Sequence, residues 1–156
     1  MAEEGNGPAG ATLDDDAASE VLATRRIGVL ATTKKSGHPH LTTMMYDWDP
    51  ERRVLRFTTT LDRAKVGHVR RSGKAALHVA VDDWTFAVAE GDATVSEVTA
   101  TPGDAIGREL LAIVPEEYKS ALGLTDEEFL ELQVRERRVI IRLAVTKFYG
   151  NRISFD

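Results

Sequence analysis

The chain contains no cysteine. Disulfides, thiolate nucleophiles and cysteine-based metal sites are excluded together. Histidine is scarce too: His38, His40, His68 and His78 are the whole supply. His38 and His40 flank Pro39, but no carboxylate or third histidine is placed to complete a site, so no metal is expected. No apolar run approaches the roughly 20 residues that a membrane-spanning helix needs. The start, MAEEGNGPAGATLDDD, has neither a basic n-region nor an apolar h-region, so no secretory signal is expected and a cytoplasmic location is. Positive charge is not in surplus either: 20 Lys and Arg face 25 Asp and Glu, a net charge of −5. A general nucleic-acid binder needs a broad basic face, which this balance argues against. Missing as well are a Walker loop, a GxGxxG, a Ser-His-Asp arrangement and a paired-carboxylate motif.

What remains reads as one domain. At 156 residues the chain is long enough for a single real core and short for two. Residues 1–12, small and acidic, read as a disordered tail, and 13–156 as the folded domain. Leu13, Ala17 and Val21 have helical spacing, with Thr12 as the expected N-cap and Asp14 to Asp16 at the positive end of the dipole. Ile27 to Thr33, the KKSG turn and HPHLTTMMYDWD read as a β-hairpin, and DPER as a second tight turn. VLRFTTT follows as a strand with Leu55, Phe57 and Thr59 on one face and Val54, Arg56 and Thr58 on the other. KAALHVAV alternates Leu77, Val79 and Val81 against Ala76, His78 and Ala80. WTFAVAEGDATVSEV reads as a long strand with Trp84, Phe86 and Val88 on one face and a bulge at Gly91. Thr101-Pro102 is an expected helix start, and TDEE at Thr125 to Glu128 a capping box. RVIIRLAVTKFYG closes the pattern with Val139, Ile141, Leu143 and Val145 inward. At least six strands with short helices predict an α+β fold, an antiparallel barrel decorated by helices.

Against the acidic background one stretch stands out. TTTLDRAKVGHVRRSGK gathers Arg63, Lys65, Arg70, Arg71 and Lys74 around a single acid, Asp62. A strand ends there in three hydroxyls and a helix begins, with Leu61, Ala64 and His68 spaced to share a face. Free backbone N–H groups, full positive charges and threonine donors together suit a phosphate. The same residues also suit a strand end filled by threonines and a solvated helix face.

RIGVLATTKKSGHPHLTTMMYDWDPERRVLRFTTTLDRAKVGHVRRSGKAALHVAVDDWTFAVAEGDATV resembles the split-barrel flavin and deazaflavin oxidoreductases, the pyridoxamine 5′-phosphate oxidase-like superfamily. Within it the resemblance is to the branch that uses coenzyme F420. It rests on the GVLAT…G-H-P-H hairpin, the strand ending before R-A-K, the arginine pair in VRRSGKAAL, and W-x-F-A-V-A-E-G, and covers Arg26 to Val98 with the final strand loosely. One departure is His68, where relatives often carry asparagine.

The resemblance implies an antiparallel split β-barrel and a homodimer with cofactor sites at the subunit interface. It implies that Arg63 and Lys65 hold the cofactor phosphate, with Thr58, Thr59 and Thr60 lining that end of the site. It places Thr42, Thr43 and Met44 beside the tricyclic ring, and Trp84 and Phe86 at the cofactor from the partner subunit. The implied activity is hydride transfer between coenzyme F420 and a small organic substrate, with the cofactor doing the chemistry and no catalytic residue named. The alternatives are an FMN-dependent reductase or oxidase on the same fold, and a non-catalytic binder of F420 or another anionic ligand. F420 carries an anionic glutamate tail that FMN lacks, for which Lys34, Lys35, Arg70 and Arg71 are candidate partners.

Overall fold

The computed structural model describes residues 10–155. Of the expected tail, residues 1–9 lie outside the described residues, and the remainder differs from expectation. Gly10–Thr12 forms a strand, β1, that pairs antiparallel with Asn151 to Ile153 at the other end of the chain. Thr12 is therefore ladder and not helix cap. Asp14 caps α1 (Asp15–Thr24) instead, its carboxylate accepting from the Ala17 N–H at 2.8 Å.

The remaining elements are β2 (Ile27–Thr33), β3 (Pro39–Met45), β4 (Asp47–Asp49), β5 (Val54–Thr60), α2 (Ala64–Ser72), β6 (Lys74–Ala80) and β7 (Thr85–Val95), then α3 (Ala105–Ile113), α4 (Glu116–Leu122), α5 (Asp126–Arg135) and β8 (Arg138–Ile153). All strand pairs are antiparallel, in the order β3-β2-β6-β7-β8-β5-β4, with β1 added on β8. Among the described residues this is one curled half-barrel sheet with five helices, the split-barrel architecture.

The curl has a local cause. At Glu90/Gly91 the β7–β8 register shifts, leaving Thr146 as the extra residue. A Cβ on Gly91 would overlap the Ala144 carbonyl oxygen, so only glycine lets the two backbones approach this closely. Period-two alternation then sorts the side chains. Leu55, Phe57, Leu77, Val79, Ile141 and Leu143 are fully buried on the inner face, where Ala18, Val21 and Leu22 of α1 join them.

The connection from β7 to β8 carries α3, α4 and α5. Its base is stapled: the Ser96 N–H donates to the Ile140 carbonyl and the Ile140 N–H to Ser96 Oγ, both at 2.8 Å. Pro102 does not start a helix; it sits in a turn, and Asp104 caps α3 three residues before Gly107. The Asp104 carboxylate accepts from the N–H groups of Gly107, Ala100 and Thr101 and from the Thr99 hydroxyl. Burial works against its charge, but these bonds win and hold it at about 2. Thr125 caps α5 as expected, the Glu128 N–H donating to its Oγ1 at 3.2 Å, but the Glu128 carboxylate accepts from the Thr125 hydroxyl at 3.1 Å and not from its backbone N–H, so the box is only half formed. Leu110 and Phe129 close on Ile140, forming a second small core on the outer face of β8.

Candidate functional site

β5 is buried on one face through Leu55, Phe57 and Thr59, and this turns Arg56 and Thr58 toward the helices. Beside it, β3 approaches β5 without exchanging ladder hydrogen bonds. The opening between these strands, roofed by α3 to α5, is a cavity of about 510 Å³. Six residues singled out from the sequence line it together: Thr42, Thr43, Met44, Thr58, Arg63 and Lys65. Four others do not. Thr59 points into the core because successive strand residues face opposite ways. The Thr60 hydroxyl is committed to Asp62, donating to its carboxylate at 2.6 Å. Trp84 and Phe86 lie elsewhere on this chain, Trp84 in the turn before β7 and Phe86 on the outer sheet face.

The cavity has two ends of different chemistry. Met44, Ile113, Val114, Tyr118 and Leu122 make one end apolar. The other is set by the start of α2. That helix opens at Ala64 with no side-chain cap, so its first N–H groups keep their partial positive charge. Its buried side is Lys65, Val66 and Val69, not the Leu61, Ala64 and His68 face expected from spacing. Lys65 is only 8% exposed, yet among the described residues its amine has no hydrogen bond and no carboxylate within 4 Å. Burial, and secondarily the Arg63 charge, push its pKa below the ordinary lysine value. Thr58 Oγ1 is likewise buried with no hydrogen-bond partner. Buried polar atoms are rarely left unpaired, and the Lys65 ammonium, on a stem that is mostly buried, keeps its access through the cavity. Hydroxyl, ammonium, guanidinium and helix start are all donors, a set that suits an anion, while the carboxylates in the same lining, Asp47 and Glu136, are paired with Arg56 and Arg138.

Neighbouring charges are neutralised within the protein. Arg56 donates to Asp47 at 2.6 Å and to Glu109 at 3.2 Å, and Glu109 also takes Arg142. Burial opposes the Glu109 charge, but its bonds to Arg142 and Arg56 hold its carboxyl below the usual glutamate range. Arg56 is thus a structural tie between sheet and α3, and not the independent cation that its strand position suggests.

A second basic surface adjoins the cavity. The β2–β3 turn and α2 bring Lys34, Lys35, His68 and Arg71 around one depression. His68 is held there by Thr32, Oγ1 to Nδ1 at 2.9 Å, and meets the His40 ring edge-on at 5.1 Å. His40 in turn reaches Thr42, a cavity residue, at 3.3 Å. Burial first, then the charges of His40, Arg71 and Lys34, lower the His68 pKa.

The outer face of the sheet away from the insertion is bare. Ile27 is 58% and Leu41 64% exposed, and Tyr149 joins them in the same face. Trp84 does not continue β7 as expected. Its N–H donates to the Asp82 carboxylate at 2.7 Å in a turn, and its ring packs edge-on against Phe155 at 4.6 Å. Phe86 stacks on His78 at 5.3 Å on that face. Sequence reasoning missed the α3–α5 wall altogether, Gln133 included. A signal existed: Gln133 lies four residues after Phe129, a polar residue on the buried stripe of a helix.

A family model described as pyridoxamine 5′-phosphate oxidase matches residues 14–150 of the chain. The chain belongs to that family. Solved structures share its fold at low identity. One is a FAD-binding protein from Mesorhizobium loti, 18% identical with a TM-score of 0.61, covering 96% of this chain and 100% of that one. Another is general stress protein 26 from Bacillus anthracis, 20% identical with a TM-score of 0.61, covering 88% and 96%. A third is an F420 reductase, 24% identical with a TM-score of 0.57, covering 78% and 87%. At such identities the likeness to these structures is one of fold. Among the described residues of this family member, no helix is long and apolar enough to cross a membrane.

Proposed function

We propose that this protein is an oxidoreductase that holds coenzyme F420 and transfers a hydride between it and a small organic substrate. The observation that carries the reading is the unanswered donor set at one end of the cavity: buried Lys65 without an acid, Thr58 without a partner, and Arg63 beside them at an uncapped helix start. Lys65, Arg63 and Thr58 would hold the cofactor phosphate, and Thr42, Thr43 and Met44 would lie along its ring. When bound, the cofactor supplies the hydride chemistry at its ring carbon. The chain's own residues bind, orient and exclude water: Met44, Ile113, Val114 and Leu122 offer an apolar wall, and Tyr118 a hydroxyl at its rim.

The choice of F420 over FMN rests on the second basic surface, with Lys34, Lys35 and Arg71 available to the anionic tail. Contacts of that exposed kind contribute less than about 1 kcal/mol each and weaken with salt. Titration of the purified chain with F420 and FMN side by side is the direct test. F420 should bind more tightly, and the preference should shrink at high salt. Stoichiometric copurification of FMN that F420 cannot displace would establish the FMN reading instead. Turnover with an added electron acceptor separates an enzyme from a cofactor carrier.

The bare sheet face supports a homodimer. Ile27, Leu41 and Tyr149 are exposed apolar side chains on one sheet face, with Trp84 in the turn that precedes β7, and a second copy would cover them. In that arrangement Trp84 and Phe86 would approach the partner's cofactor. Sedimentation should report a dimer at micromolar concentration; a monomer that still binds cofactor tightly would end the shared-site idea.

A further inference from the structure

Gln133 is 5% exposed, and among the described residues its side-chain amide has no hydrogen-bond partner, yet it lines the cavity. Its position along the cavity follows from the chain path. α5 ends at Arg135, the Arg137 carbonyl accepts from the Leu61 N–H at 3.0 Å, and Arg138 pairs with Thr60. The last turn of α5 is therefore tied to the strand end that launches α2, beside Arg63 and Lys65. The apolar end of the cavity, at Ile113 to Leu122, comes from α3 and α4 instead.

We infer that Gln133 is a ligand of the anionic end of the bound molecule, so that the helical insertion adds a further donor to the set made by Thr58, Arg63 and Lys65. This inference rests on the cofactor reading above for the identity of the anion, though not for its charge. The residue type suits the role. A neutral amide offers two N–H donors and adds no charge to the lining that holds Lys65 and Arg63. A carboxylate at the same position would add a negative charge to that lining and disfavour an anion. The consequence is that α5 is part of the binding site and not only its cover. Ligand and insertion are then coupled through one side chain.

The test compares ligands that differ in the phosphate alone. Whichever of F420 and FMN the chain binds is titrated against the same chromophore lacking its phosphate, using the full chain and its Gln133→Leu and Gln133→Glu variants. Inorganic phosphate is scored separately by its protection against thermal unfolding. For the phosphorylated ligand, Gln133→Leu should lose about tenfold in affinity, the size of one hydrogen bond to a charged group. Gln133→Glu should lose more. The dephosphorylated chromophore should bind all three proteins within about twofold of one another, and phosphate should protect the wild-type chain more than Gln133→Glu. Equal losses for both chromophores would place Gln133 at the ring and overturn the inference, as would no loss for either. If Gln133→Leu fails to fold, the near-isosteric Gln133→Glu carries the comparison. A wild-type chain that is protected by phosphate and binds neither cofactor would remove the cofactor reading alone, with Gln133 then judged on the phosphate arm. No protection by phosphate and no binding of either cofactor would remove both.

Discussion

The two faces of β5 are built from alternate residues of one seven-residue strand, and they could hardly differ more. On the inner face Leu55 and Phe57 are fully buried, close-packed and without polar atoms. On the outer face Arg56 is locked to two carboxylates while Thr58, one residue pair along, has a buried hydroxyl with nothing to bond. Inner-face residues lower the free energy of the folded chain. Thr58 and its neighbour Lys65 raise it, and such costs persist where a ligand relieves them. On the proposed reading, stability and binding are separated by strand parity, which makes them separable by mutation.

The sharpest break is Phe57→Ala against Thr58→Val. Phe57→Ala should lose about 3–5 kcal/mol of stability in a denaturant titration, through lost transfer energy and a cavity. Thr58→Val deletes the orphan hydroxyl at nearly constant shape, so the apo-protein should melt at the same temperature or higher while cofactor affinity falls. A destabilised Thr58→Val would mean that the hydroxyl is satisfied by the fold.

Next in size is Lys65→Ala, expected to weaken cofactor binding by about 1.5–3 kcal/mol without lowering apo stability. Arg63→Ala should behave likewise, with solvent-exposed Arg108→Ala as the cation control. The sign with pH follows from the lowered Lys65 pKa: the unfolded chain holds this proton to higher pH than the folded one. Apo stability should therefore rise with pH in the window just under about 10.4, the ordinary lysine value, and that rise should vanish in Lys65→Met. An unchanged affinity in both Lys65 and Arg63 variants would reduce the basic junction to a solvated helix start.

Glu109→Gln should cost about 1–2 kcal/mol, less than a deeply buried pair because these side chains keep some solvent contact. The Glu109 carboxyl titrates below its unfolded value. Its contribution is accordingly present above about 4.3 and lost as pH falls through the lower folded value, and pH-dependent melts of the two proteins should converge in acid. Smallest is His68→Asn. Protonation of His68 is disfavoured in the fold, so wild-type stability should decline as pH drops through about 6.5 and the variant should decline less. Added phosphate, by answering the nearby Lys34, Lys35 and Arg71, should narrow the gap.

The sequence was most legible where one face is buried and one is not. The alternation in VLRFTTT and KAALHVAV and the bulge at Gly91 follow from period and close approach. Six of the ten expected site residues meet in one cavity because they lie on β3, β5 and the start of α2, whose juxtaposition the family resemblance implies and strand alternation alone does not. Illegible features were those decided by groups distant in sequence or by local competition. β1 forms because Gly10 to Thr12 find the far end of β8, more than a hundred residues on. Trp84 leaves the strand because Asp82 offers its N–H a nearer acceptor. Nothing in EEYKSALGLTDEEFLE indicates that its helices roof the β3–β5 opening, since that depends on the Arg56–Glu109–Arg142 tie and on Ile140 meeting Leu110 and Phe129.

Because β7 and β8 are adjacent in the sheet, everything between Ser96 and Arg137 is, topologically, a single oversized hairpin loop pinned at its neck. Such a loop can be exchanged for another of different length without altering a strand register elsewhere. The cavity is therefore composite in construction: one wall is sheet and α2, while the other is carried by the loop. On the proposed reading the two walls answer to different changes: point substitutions at β5 and α2 alter how firmly the anion is held, and replacement of the loop, which also removes the Glu109 partner of Arg56 and Arg142, alters what is admitted beside it.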